Sequence, residues 1–434
     1  MSGIARMLRS EGNVVTGTDT KTTGNGAHLL PLNVDAVIYS DAVISDPAGQ
    51  EELSAAQARG IKTLRRIDFI AERMQGKTSI AIAGAHGKST TTALIGWGLA
   101  EAEEDPTVFI GADLKEFGGS ARGGAGEFVV TEACEWNRQF LYLNPTVLVL
   151  TTIDKEHLDT YPGGIDDVIK TFHEFASQVD KDGFIVANGD DQNIHTALDG
   201  IDCRIVWFGK SEEYDYELNV VEIVDGLLRV GIIRSHETGE YITSHLVGKH
   251  HAANVLAAVV TLHELGISSD KILKSMTSFP GLKRRFEYYR NDDALIVVDD
   301  YAHHPTEISA TIGAAKIQYP NRRIVAVFQP HLSQRTTDLF EEFIQALSLA
   351  DKVFIAETFE PAGRVVAAEA RMSSDIVNKL KNQSIDAEET GDINKTITVV
   401  ENKIESGDVI IVMGATNIWK VAESLADWSL NDRI

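Results

Sequence analysis

Short apolar runs rich in Val and Ile recur along the chain, and most are followed by stretches in which apolar residues return every three or four positions. The runs are NVVTGTD (13–19), DAVIYS (35–40), SIAIAG (79–84), EFVVTEA (127–133), TVLVLTTI (146–153) and GFIVANGDD (183–191). They continue with ALIVVDD (294–300), RRIVAVFQP (322–330), KVFIAE (352–357) and DVIIVMGA (408–415). Continuous rather than alternating apolar character predicts strands covered on both faces, and the intervening amphipathic stretches predict crossover helices. The expected class is α/β with mainly parallel sheets. Residues 217–246 differ: they alternate, with Asp225-Gly226 as a turn, and predict antiparallel strands forming a small subsheet within the middle domain.

Two breaks in this texture predict domain limits. RRIDFIAERMQGKTS (65–79) reads as a helix running into a linker near Gln75 and Lys77, and SFPGLKRRFEYYRNDD (278–293) sets Pro and Gly between a helix and a new strand. Three domains are expected, at 1–76, 77–282 and 283–434. A chain of 434 residues with 43% hydrophobic content has ample core for them. The formal charge of −24 argues against nucleic acid or an anionic membrane as principal partner, so any phosphate site must be local. Cys134 and Cys203 make neither a metal-type spacing nor a disulfide framework, which suits a reducing compartment such as the cytosol. The first residues carry no signal-peptide pattern, and no apolar run approaches the ~20 residues that span a bilayer.

The strongest candidate chemistry follows SIAIA: Gly84, Ala85, His86, Gly87, Lys88, Ser89 and Thr90 open a helix. Unpaired amides at a helix start favour an anion, Lys88 would reach the β and γ phosphates, and the Ser89 hydroxyl would ligate Mg²⁺. The usual GxxxxGK[ST] spacing is not met, because Ile82 stands where its first glycine would be. A purely structural turn before a core helix therefore stays open. Glu132 ends its strand run and His157 follows another, positions that in an α/β sheet face the ligand edge. Either could instead be an ordinary loop charge or a hydrogen-bonded structural residue.

GAHGKSTTT (84–92) resembles the GTxGKTTT loop of the Mur ligases, ATP-dependent amide-forming enzymes of peptidoglycan synthesis, and further segments match the same family. EACEWNRQFL (132–141) resembles its acidic metal-binding segment and TTIDKEHLDTY (151–161) its metal-binding histidine segment. GKHHAANVLAA (248–258) is similar to its adenine-side helix and GLKRRFE (281–287) to its domain junction. DDYAHHPTEI (299–308) and FQPHLSQRT (328–336) resemble third-domain motifs, while MSGIARML and TGTD resemble parts of the first domain. The resemblance covers nearly the whole chain. It implies a Rossmann-like first domain, a central P-loop ATPase-like domain with a mixed sheet, and a Rossmann-like third domain.

The third-domain motifs point within the family to the activity that joins L-alanine to the lactyl carboxylate of UDP-N-acetylmuramate, with ATP and Mg²⁺. By resemblance, Ser89, Glu132 and His157 hold metal, and residues 84–90, Asn254, Arg285 and Asp300 bind ATP. His303, His331 and Arg335 serve the amino acid, with Lys88, His157, His303 and Arg335 closest to the chemistry. Domain closure is expected to bring the third domain's His and Arg residues over the phosphate site and exclude water.

Four departures from the family pattern matter. The family's amino-terminal strand and most of its uridine-diphosphate glycine loop are missing, so the first domain is expected to be truncated, with Asp19 and Arg66 left for the uridine side. His251 stands where Asn usually follows the first His, Thr416 stands where Gly is usual, and Ala85 replaces a threonine of the loop. Two alternatives remain at this point: a Mur-type ligase that adds another amino acid or a peptide, and a nucleotide-binding remnant without catalysis.

Overall fold

The computed structural model describes residues 1–19, 23–155, 160–234, 239–360 and 369–428. It divides into two compact units, the first comprising 1–221, 230–244 and 252–279, the second 222–229, 245–251 and 280–434.

The first unit starts with helix α1 (Ser2–Ser10), then β1 (Ala36–Tyr39), α2 (Pro47–Ala58), β2 (Lys62–Arg65) and α3 (Arg66–Met74). β1 and β2 form a two-stranded parallel sheet. Residues 13–19, predicted as a strand, are not one. Val14 is 98% exposed and the segment has only an isolated bridge from Asp19 to Gly24, so its apolar pattern has no neighbouring strand to pair with.

The large sheet contains β3 (Thr78–Ala83), β4 (Thr107–Leu114), β5 (Gly119–Arg122), β6 (Phe128–Glu132), β7 (Val147–Leu150), β8 (Phe184–Asn188) and β9 (Arg204–Gly209). It continues through β10 (Tyr216–Val224), β11 (Leu227–Arg234) and β12 (Glu240–Ser244). The order is β12-β11-β10-β9-β8-β7-β3-β6-β4-β5. Its helices are α4 (Lys88–Glu101), α5 (Ile165–Ala176), α6 (Gln192–Leu198), α7 (His251–Glu264) and α8 (Ser269–Ser278). The expected subsheet joins the main one: Tyr216 and Glu217 of β10 pair in parallel with Phe208 and Gly209 of β9, which makes β10–β12 an extension of the large sheet. Its turn is as read, with Asp225 at φ 51° and Gly226 at φ 79°, the left-handed pair that a two-residue turn requires.

β3 carries Ile80, Ala81, Ile82 and Ala83 at 0% exposure, and β7 is buried along its whole length. Each such Ile, Val or Phe contributes about 1.5–3 kcal/mol by leaving water. Phe140, Phe172 and Phe175 close the core on one face. β3 lies between β6 and β7, parallel to both, with Ile82 beside Glu132 and Ala83 beside Leu150. The chain leaves β3 toward one side and later crosses to the other. The carboxyl ends of these three strands therefore meet at a switch in strand order, where α/β sheets place ligands.

The second unit is built on β13 (Glu287–Asn291), β14 (Ile296–Asp300), β15 (Ile324–Phe328), β16 (Lys352–Ala356), β17 (Asp386–Gly391) and β18 (Val409–Met413). Their order is β13-β14-β18-β15-β16-β17, all parallel except β13. The helices are α9 (Pro305–Gln318), α10 (Ser333–Asp338), α11 (Phe340–Leu347), α12 (Ser373–Asn382), α13 (Ile393–Lys403) and α14 (Trp419–Ala426). β14, β15 and β18 are buried throughout, with apolar clusters on both faces of the sheet. Here too the carboxyl ends converge: Asp300 and Phe328 both register against Met413.

Candidate active site

In the first unit the loop after β3 is shaped by two glycines. Gly84 has φ 141°, and a Cβ there would lie 2.2 Å from Thr151 Oγ1. Gly87 has φ 83°, and a Cβ would lie 2.3 Å from Asn254 Oδ1. Both positions need glycine for conformation and for space. The start of the loop is tied to the end of β7: the Ala85 N–H donates to Thr152 O at 2.8 Å, the His86 N–H to Thr152 Oγ1 at 3.0 Å, and Thr151 Oγ1 to His86 O at 2.6 Å. Thr90 is buried in the first turn of α4, and buried Asn254 on α7 faces the loop at Gly87.

Lys88 is nearly enclosed. Its ammonium donates to Gly84 O, to Ala85 O at 3.1 Å and to Glu135 Oε1 at 3.1 Å. Burial alone would lower its pKa, but Glu135 and Glu132 outweigh burial and hold it above the ordinary lysine value. The side chain therefore carries a fixed positive charge at the head of a helix. Ser89 Oγ donates to Glu132 Oε2 at 2.7 Å, and the Gly111 N–H donates to the same oxygen at 2.8 Å. A hydroxyl and a carboxylate side by side are a hard oxygen pair of the kind Mg²⁺ takes. His157, the third expected metal ligand, lies outside the described residues. Among the described residues no group of three or more His, Cys, Asp or Glu could hold a metal ion.

Cys134, between these carboxylates, has its thiol pushed up to about 11 by burial and by Glu135. Both cysteines are free.

In the second unit Arg284 is the organising residue, and the sequence reading passed over it. It has φ 57°; its Nε donates to Asp299 Oδ2 at 2.8 Å, its Nη1 to Thr416 O at 2.9 Å and its Nη2 to Gly414 O at 2.5 Å. One guanidinium thus joins the chain entering the unit to the ends of β14 and β18. Thr416 needs no positive φ, because Gly414 takes it at 144°, and the Thr416 hydroxyl donates to Gln329 Oε1. Asp300 is buried, accepting from the N–H groups of Phe286 and Ala302 at 2.8 Å each. Burial pushes its carboxyl up to about 6, against the pull of Arg285. Arg285 lies over the Tyr301 ring at 5.6 Å and 3.8 Å from Glu307.

His303 Nδ1 faces Tyr301 O at 3.1 Å and Glu307 Oε2 at 3.3 Å, which assigns its proton to Nδ1 and leaves Nε2 an acceptor. Burial drives its pKa down to about 4, against Glu307 and with the help of Arg335, so the ring is neutral at neutral pH. A depressed histidine pKa contributes stability above the unfolded value of about 6.5, and that contribution is lost as pH falls through about 4. His303→Asn is expected to lose less stability than the native protein between those pH values, by on the order of 2 kcal/mol in urea unfolding. His304 caps α9 together with Glu307. His331 stacks on Phe359, with ring centroids 5.7 Å apart. Arg335, on α10, keeps its Nη1 buried without a hydrogen-bond partner among the described residues. The His250 and His251 rings lie 4.1 Å apart, tilted by 42°, and burial with Arg285 nearby pushes His250 down to about 4. His251 is lowered well below the ordinary value, by burial and then by His250.

Of the two residues expected on the uridine side, Asp19 donates its N–H to the Thr23 hydroxyl at 2.8 Å. Arg66 is half-buried as the first residue of α3.

A strand, a glycine loop with an enclosed lysine, and a serine beside a strand-end carboxylate form the kind of arrangement that phosphate-binding loops of α/β sheets share. Family models agree along the chain: the Mur ligase family catalytic domain matches residues 1–78, the Mur ligase middle domain 82–262 and the Mur ligase glutamate ligase domain 284–416. The chain belongs to the Mur ligase family, with that family's three-domain α/β architecture and its dependence on ATP. It is 37% identical to the UDP-N-acetylmuramate–L-alanine ligase of Persephonella marina, over 99% of this chain and 95% of the relative. The ligase of the same name from Desulfitobacterium hafniense is 35% identical, over 98% and 96%. Among solved structures, the UDP-N-acetylmuramate-alanine ligase of Thermotoga maritima superposes with a TM-score of 0.80 at 24% identity, over 98% of this chain and 95% of that one. A second ligase of that organism, solved with ADP, gives a TM-score of 0.67 at 16% identity, over 94% and 96%.

Proposed function

We propose that this chain joins L-alanine to the lactyl carboxylate of UDP-N-acetylmuramate in peptidoglycan precursor synthesis, through an acyl phosphate. The carrying observation is the loop 84–90, which sets the enclosed Lys88 ammonium at the head of α4, one residue from the Ser89–Glu132 pair. ATP supplies the phosphoryl group that converts a poor leaving oxygen into phosphate. Lys88 offsets charge on the moving phosphoryl group, Asn254 serves the adenine, and Arg285 and Asp300 serve the nucleotide. Ser89 and Glu132 fit Mg²⁺ by their donor chemistry, with His157 as a further ligand, and the ion would neutralise phosphate charge there.

The lactyl carboxylate oxygen bonds to the γ phosphorus as the bond to ADP breaks. The alanine nitrogen then bonds to the acyl carbon, phosphate leaves with its oxygen, and the nitrogen gives up its proton. Arg335, with a buried N–H that has no partner among the described residues, and His331 suit the alanine carboxylate, while neutral His303 offers Nε2 as an acceptor for the amine. Asp19 and Arg66 belong to the uridine side. The domains are 1–76, 77–282 and 283–434, and the cytosol is the place of action. Among the described residues no helix is long and apolar enough to cross a membrane.

Phosphate release and amide product are to be measured with ATP, magnesium, UDP-N-acetylmuramate and one amine at a time. L-Alanine should give the highest kcat/KM, glycine and L-serine less, and a tripeptide none. Turnover with the tripeptide alone, or with no amine, would overturn the assignment.

A further inference from the structure

The mouth of the phosphate loop holds a carboxylate to which the mechanism assigns no task. Glu135 lies three residues past Glu132; its side chain is 3% exposed and its Oε1 is 3.1 Å from Lys88 Nζ. The backbone that carries it is firmly held. Its carbonyl accepts from the Tyr161 hydroxyl at 2.6 Å and from the Arg138 N–H at 2.9 Å. The next residues, Asn137 and Arg138, are both left-handed at φ 51° and 54°. The Asn137 N–H donates to Thr160 Oγ1 at 3.3 Å, and the Arg138 guanidinium to Asp167 at 2.8 Å. The cation, by contrast, rides on a flexible four-carbon stem with three rotatable donors. Of the two partners, the anion has the shorter stem and a tethered backbone, while the ammonium is held by two loop carbonyls as well.

An enclosed ammonium needs a counter-charge, and removing one member of such a pair leaves an uncompensated charge behind. Phosphates entering the loop bring a second anion to the same ammonium. Carboxylate and phosphate then repel each other while they compete for one cation. We propose that Glu135 is the resident counter-anion of the loop: a positioning residue that holds the Lys88 ammonium across the mouth in the free protein and sets nucleotide affinity, because arriving phosphates must share or displace it. The proposal rests on the reading of loop 84–90 as the phosphate site.

The test uses the full chain and ADP in magnesium-free buffer, by titration calorimetry, alongside thermal melts. In Glu135→Gln, similar in size but uncharged, Lys88 keeps its two carbonyl acceptors and lacks the paired carboxylate charge until phosphate supplies an anion. The melting temperature should fall without ligand and recover more with ADP than in the native protein. The Kd for ADP should drop by at least about fivefold, and the KM for ATP should fall with it. A pair that served packing alone would lower the melting temperature and leave ADP affinity unchanged or weaker, and that result overturns the proposal. Should Glu135→Gln not fold, Glu135→Asp, whose charge is drawn back by one methylene, carries the same test with a smaller gain; no gain overturns it. Lys88→Met separates the two readings. If it binds ADP as tightly as the native protein, the phosphate-loop reading itself fails; if it loses ADP while Glu135→Gln is unchanged, only the counter-anion fails.

Discussion

Replacing Lys88 with methionine is expected to lower kcat/KM for ligation by about 10³-fold or more, measured as phosphate release with saturating L-alanine. Methionine keeps most of the stem and removes only the charge and its donors. The ammonium is held by two loop carbonyls and Glu135, so it is already aimed and needs no reorganisation when phosphoryl charge moves. The substitution also strands Glu135, and breaking a buried pair costs about 3–5 kcal/mol. Lys88→Met/Glu135→Gln removes both charges and should melt closer to the native protein while remaining inactive. Activity in a folded double variant would show that the lysine is not part of the chemistry.

Arg284→Met is expected to destabilise the protein by about 3–5 kcal/mol in urea unfolding, more than any surface arginine would. Asp299 is 0% exposed and pairs with Arg284 at 2.8 Å, and two strand-end carbonyls lose their donor with the guanidinium. The loss carries a pH signature. Burial raises Asp299 to about 6, with Arg284 pulling it down. A carboxyl raised above its unfolded pKa near 3.8 contributes stability that is full below that value and is lost as pH rises through about 6. Without Arg284 the carboxyl rises further and the loss continues to higher pH. The gap between variant and native protein should therefore be wider at pH 7.5 than at pH 5. Arg284→Lys, which restores charge but not the planar fork, should recover only part of the stability. An equal gap at both pH values would separate Arg284 from Asp299.

What could be read from the chain and what could not follow from the range of each interaction. β3, β6, β7, β14, β15 and β18 announce themselves because both faces are buried and their apolar runs are unbroken. Lys88, Ser89 and Glu132 were legible from a local motif and a strand end, and the fold brings Ser89 and Glu132 to 2.7 Å. Residues 13–19 have the composition of a strand without the neighbour that makes one. β2 and β17 were missed because their polar sequences take strand form only through pairing with β1 and β16. Glu135 and Arg284 stood inside quoted motifs unremarked. Their partners lie 47 and 15 residues away, and only the assembled sheets bring those partners within reach.

The edge strand β17 has a consequence for life at high concentration. It ends one side of the second unit's sheet with an unpaired row of backbone groups, the template on which another molecule's strand could add. Its sequence, DAEETG, places Asp386, Glu388 and Glu389 along that row. Asp386 is paired with Lys352 and Glu388 with Lys403, so a second copy approaching edge to edge would meet hydrated charged side chains in place of an apolar row, which guards the molecule against aggregation.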